Sequence, residues 1–176
     1  MDNIIKYFVK EPEREFHIRE LARLAKKSPT TVSKLLLNLE KENLLVSARK
    51  LNHLFYKANA ENKSFKDFKA CSNIGQLRRS GLIDYLDKEL NHPEAIVLFG
   101  SFRKAEDIPA SDVDLLVISS LKKQLNLKRF EDKIGRKIDL FIHSNAEIEK
   151  MKTKNKELLN NWLNGVVLSG FWEVFK

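Results

Sequence analysis

Apolar residues recur at helical spacing in the first ten positions, where Asn3 to Lys10 places Ile4, Ile5, Phe8 and Val9 on one side. Glu11-Pro12 stops that helix, because proline lacks an N–H and restricts the residue before it. A short extended stretch, Phe16 to Ile18, leads into RELARLAKK, whose Leu21, Leu24 and Ala25 form the stripe of a second short helix. Ser28-Pro29 reads as an N-cap followed by proline at the first helical position, and it opens a third helix to about Glu42 with Val32, Leu35, Leu36 and Leu39 inward. LLVSARKLNHLFYKA then alternates as two strands, Leu44 to Ala48 and His53 to Ala58, joined by a tight basic turn around Arg49, Lys50 and Asn52.

Between Glu61 and Asn91, Phe65, Phe68, Leu77, Leu82, Ile83, Tyr85, Leu86 and Leu90 fall at mostly helical intervals. One or two helices are expected, with Gly75 marking the break if there are two and His92-Pro93 the end. The pattern then changes period. Ala95 to Phe99 is a buried strand, SDVDLLVIS a second and KIDLFIH a third, with a helix near Lys128 to Ile134 and a longer one from Ala146 to Asn164. The tail NGVVLSGFWEVF supplies a closing strand, with Phe171, Trp172 and Phe175 read as core or interface aromatics.

The 176 residues, 43% of them hydrophobic, suit a folded chain of one or two domains. No apolar run approaches the roughly 20 residues of a membrane span, and the N-terminus lacks the apolar core and cleavage site of a leader, so a cytoplasmic protein is expected. The single Cys71 excludes an internal disulfide and reads as a small packing residue. His17, His53, His92 and His143 lack zinc-ligand spacing. The net charge of +8 is uneven: residues 1–60 carry 12 basic and 7 acidic groups, whereas residues 61–94 carry 6 of each. A basic first third suits a polyanionic partner, although surplus lysines also keep proteins in solution.

The order helix, short strand, helix, turn, helix, hairpin resembles the winged helix-turn-helix family over residues 1–60. The resemblance implies nucleic-acid binding, to DNA first and RNA second. The start of the recognition helix must present small polar and basic groups to base edges, a role that suits Thr30, Thr31, Ser33 and Lys34; Arg49 and Lys50 on the hairpin suit phosphates. Such domains also serve as dimerisation modules, so a homodimer stays open.

On an extended strand Asp112 and Asp114 share a face while Val113, Leu115 and Val117 take the other. Like charges at the head of an apolar strand are costly unless a cation neutralises them, which points to a divalent metal. Asp139, within the alternation of KIDLFIH, is a third carboxylate on a further strand.

Gly100-Ser101, ten residues, then a strand-borne DxD and a later lone aspartate resemble the DNA polymerase beta nucleotidyltransferase superfamily, and its minimal nucleotidyltransferases in particular, over about residues 90–176. The resemblance implies that Gly100 and Ser101 hold a nucleoside triphosphate such as ATP, that Asp112, Asp114 and Asp139 bind Mg²⁺ or Mn²⁺, and that Asp139 lies beside the attacking hydroxyl. The residue types suit those roles: glycine admits a phosphate close to the backbone, and Ser101 adds a hydroxyl at a helix start. Arg103, Lys104 and Lys137 are near enough in sequence to reach phosphates or to be solvated. Many relatives carry glycine where this chain has Ala105, which strains the loop if that position needs positive φ.

The expected architecture is α+β in two domains: a winged helix-turn-helix at 1–60, a helical linker at 61–93 and an α/β nucleotidyltransferase domain with a mixed sheet at 94–176. The expected activity is metal-dependent transfer of an NMP from an NTP to a hydroxyl on a nucleic-acid end or on a protein such as a cognate toxin. The competing class is a non-enzymatic transcriptional regulator or antitoxin whose second domain senses nucleotide or binds a partner.

Overall fold

The structure, a computed structural model, describes residues 4–174 and divides into two compact units, residues 1–69 and 70–176. The elements run α1 (Ile5–Lys10), β1 (Phe16–His17), α2 (Ile18–Ala25), α3 (Pro29–Lys41), β2 (Leu45–Lys50), β3 (His53–Ala58), α4 (Lys63–Ser80), α5 (Leu82–Glu89), β4 (Ala95–Phe99), α6 (Gly100–Lys104), β5 (Val113–Ile118), α7 (Lys128–Ile134), β6 (Ile138–His143), α8 (Asn145–Lys154), α9 (Lys156–Leu163) and β7 (Val166–Gly170). Asn3 and Phe175 lie outside the described residues.

In the first unit α1, α2 and α3 surround a core of Ile4, Phe8, Phe16, Leu21, Val32, Leu36 and Tyr56, joined by Phe65 from the start of α4. Local chemistry sets the start of α3: the Ser28 hydroxyl accepts the backbone N–H of Thr31 at 3.1 Å, and Pro29 fills the first turn. The antiparallel sheet has the order β1-β3-β2. Its register pairs Lys50 with His53, so the turn is Leu51-Asn52, both at positive φ. Arg49 and Lys50 therefore stand on β2 rather than in the turn.

The second unit is a four-stranded mixed sheet of order β6-β5-β4-β7, with β5 and β6 parallel and the other pairs antiparallel. Period-two alternation gives each face its own layer. Ile96, Leu98, Val113, Leu115 and Val117 pack with Leu77, Leu82, Leu86, Phe130 and Ile134. Ala95, Val97, Phe99, Leu116 and Ile118 pack with Ile148, Leu159 and Trp162. The helical break expected at Gly75 falls instead at Gly81, whose φ of +81° separates α4 from α5. Gly75 sits inside α4, where the flanking turns hold it helical. The single helix expected from Ala146 to Asn164 is two: Asn155 leaves helical geometry and its side chain accepts the Leu158 N–H as a new N-cap. Cys71 is exposed, and so is Phe171, at 74%. Among the described residues no helix is long and apolar enough to cross a membrane.

Candidate active site

The buried strand β4 ends at Phe99, and Gly100 turns the chain into α6 at φ +71°. β5 returns antiparallel, placing Asp114 opposite Phe99. β6 runs parallel beside it with Asp114 opposite Asp139. Neighbouring strands lie about 4.8 Å apart, so the two carboxylates start from adjacent backbones on one face of the sheet. Asp112 and Asp114 are half-buried and Asp139 is exposed. Burial raises the Asp114 carboxyl above its ordinary value of 3.8, and the charges of Asp139 and then Asp112 push it further up.

Gly100 is fitted to this acid. A Cβ built on it would lie 2.1 Å from Asp114 Oδ2, and its backbone is left-handed besides. Gly100→Ala is therefore expected to destabilise the second unit by at least about 2 kcal/mol, which a thermal melt measures; an unchanged melting temperature would show that the turn and the acid are not packed this closely. Ser101 is half-buried, and its carbonyl accepts the N–H groups of Ala105 and Glu106, closing α6. Ala105 has φ +60° and ψ 24°, so the position does need the left-handed conformation that glycine adopts freely, at about 1–2 kcal/mol for alanine. Within α6, the buried Nε of Arg103 has no hydrogen-bond partner. Lys104 and Lys137 are exposed.

The family described as polymerase beta, nucleotidyltransferase matches residues 81–168, from the turn before α5 into β7. That is half of the chain. This protein belongs to the polymerase beta nucleotidyltransferase family. Nucleotidyl transfer is the chemistry of that family, and its members generally use an NTP and a divalent metal, although some are non-catalytic. No curated protein and no solved structure matches the chain.

Among the described residues, no group of three or more His, Cys, Asp or Glu side chains is placed to hold a metal ion by itself. An open arrangement nevertheless fits this family's chemistry, because Mg²⁺ keeps several waters and usually takes one or two carboxylates together with substrate phosphates. The residues present fit such a group. Asp114 is half-buried against two like charges, and a hard cation takes carboxylate oxygens as ligands while neutralising them.

Residues that the sequence did not single out frame the site. Asp107, in the loop between α6 and β5, is 2% exposed. Its Oδ1 accepts from Asn73 Nδ2 at 2.9 Å and its Oδ2 from Arg136 Nη2 at 2.7 Å. The partners lie 34 and 29 positions away, so no local pattern links them. The only signal is two charged residues in the loops bracketing the acidic strands.

The expected nucleic-acid residues lie in the first unit. Thr30, Thr31 and Lys34 are exposed on α3, Ser33 is half-buried, and Arg49 and Lys50 are exposed on β2. Two already have partners within the chain. The hydroxyl of Thr31 bonds that of Ser28 at 2.8 Å, and the Lys50 ammonium donates to both oxygens of Glu15 at 2.7 Å.

Proposed function

We propose that the chain transfers an NMP from an NTP to a hydroxyl acceptor, on a nucleic-acid end or a protein side chain, and that residues 1–60 form a winged helix that binds nucleic acid. The observation that carries the reading is the close approach of Gly100 to Asp114, with Asp139 in register beside it. Asp114 is a partly buried acid that two other acids already repel, and a divalent cation between them relieves that repulsion.

Asp112, Asp114 and Asp139 would hold the divalent cations. When bound, these neutralise the triphosphate, lower the pKa of the acceptor hydroxyl and stabilise the leaving pyrophosphate. The chain's own groups do the rest. Gly100, without a side chain, lets the phosphates approach the backbone at the start of α6. Asp139 is the most exposed of the three acids, and its carboxylate is the group that an acceptor reaches with its hydroxyl proton. The exposed polar face of α3 and Arg49 on β2 suit a duplex, which brings a nucleic-acid end to the protein.

Calorimetry with ATP, CTP, GTP and UTP tests the reading. At least one is expected to bind in the presence of Mg²⁺ or Mn²⁺, and EDTA is expected to abolish that binding. Absence of binding at millimolar concentrations of all four NTPs refutes it. With labelled NTP, pooled nucleic acid and pooled protein as separate acceptors tell the two acceptor classes apart, and binding without any transfer places the chain among nucleotide sensors.

A further inference from the structure

A buried ion pair of the second unit plays no part in the proposed chemistry. Arg136 Nη2 meets Asp107 Oδ2 at 2.7 Å, with the two side chains only 10% and 1% exposed. The same guanidinium turns its Nη1 to the carbonyls of Ser111, at 3.1 Å, and Ile108. It also lies over the Phe102 ring, 5.3 Å from the centroid. Asn73 joins from α4, giving its Nδ2 both to Asp107 and, at 2.8 Å, to the Phe102 carbonyl. The network thus holds backbone carbonyls in α6 and along the loop to β5, from an arginine two residues before β6.

Every site element is a short step from a gripped atom. Ser101 precedes Phe102, Asp112 follows Ser111, and Asp139 is three residues beyond Arg136. We infer that Arg136 is a positioning residue: through Asp107 and the loop carbonyls it fixes the spacing between the Gly100-Ser101 turn and the acids Asp112, Asp114 and Asp139. Arginine suits this task, because its planar fork puts Nη2 on the carboxylate and Nη1 on two carbonyls at fixed separation, whereas the donors of a lysine all radiate from one nitrogen. The loop also contains Ala105 in its left-handed conformation, which persists only where the surroundings over-determine it.

The inference rests on the proposed nucleotide site and is tested together with it. Wild type, Arg136→Lys and Arg136→Gln are compared by melting temperature, by amide hydrogen exchange of residues 101–112 and by calorimetric affinity for ATP with Mn²⁺, or for whichever NTP binds wild type. Arg136→Lys keeps the charge beside Asp107, so it is expected to stay folded at 25 °C. It is expected to speed exchange in the loop selectively and to weaken nucleotide binding roughly tenfold or more, the size found when groups that orient metal ligands are altered. Arg136→Gln is expected to show both effects more strongly. Folded Arg136→Lys with wild-type nucleotide affinity overturns the inference, and so does exchange that rises evenly across the whole unit, the mark of a merely structural role. If wild type itself binds no NTP, the nucleotide reading fails, and the inference with it; that outcome is distinct because it appears before any variant is made.

Discussion

Asp114→Asn is expected to lower nucleotidyl transfer by about three orders of magnitude or more, because charge held at the metal positions carries most of the stabilisation of the transferred phosphoryl group. Asp112→Asn is expected to fall comparably. The fold survives, and the metal-free Asp114→Asn protein is expected to melt above wild type. The direction follows from the carboxyl's pKa, which the fold raises above its ordinary 3.8 through burial and through repulsion by Asp139 and Asp112. A folded state that favours the protonated form binds more protons than the unfolded chain, so wild-type stability falls as pH rises from 3.8 through the raised pKa. The advantage of the asparagine is therefore absent below pH 3.8 and complete above the raised pKa. Divalent cation with NTP reverses the order at neutral pH, since ligand bound to the native state stabilises wild type alone. The checks are labelled-NMP transfer and melts across pH, with and without Mg²⁺. Transfer at wild-type rate in both variants places the chemistry elsewhere.

The second large effect concerns nucleic acid. Lys34→Ala, Arg49→Ala and Lys50→Ala combined are expected to weaken duplex binding and to reduce the slope of log affinity against log salt by about 2 to 3, close to one for each phosphate that is no longer neutralised. Lys34 and Arg49 carry most of the effect. Lys50 is engaged with Glu15, so its removal breaks an intramolecular ion pair as well as an attraction to phosphate. Fluorescence anisotropy with one duplex at several salt concentrations measures the slope. Nucleotide binding by the second unit is expected to remain as it is in wild type. An unchanged slope shows that α3 and β2 do not face the duplex.

What the sequence makes legible is local. The Ser28-Pro29 cap, the paired Asp112 and Asp114 and the apolar alternation around Asp139 each depend on residues a few positions apart: α3 starts at the cap and β6 carries Asp139, while β5 begins at Val113, one residue after Asp112. Whether the Ala105 position needs positive φ is open in the sequence, and the structure answers it with φ +60° at the end of α6. The two misplaced breaks share a cause. Helical spacing fits on both sides of Gly75 and of Gly81 alike, and apolar spacing continues through Asn155, so periodicity alone marks neither true break. Arg136, Asp107 and Asn73 are out of reach for a different reason: their meeting depends on strand order and register, which bring together three stretches that share no motif.

The parallel pairing of β5 with β6 has a consequence for how the site comes into being. The turn at Gly100 follows β4, and Asp112 and Asp114 stand at the start of β5, an antiparallel pair connected through α6 and the loop after it. Asp139 must arrive after a crossover through α7, a larger loop with a larger closure entropy. Pairing β6 with β5 therefore closes the longer of the two connections and brings a third negative charge towards Asp112 and Asp114. The step that completes the acidic site is thus the step that its own charges oppose, and the hydrophobic seating of Ile138, Leu140 and Ile142 against the finished strands is what drives it.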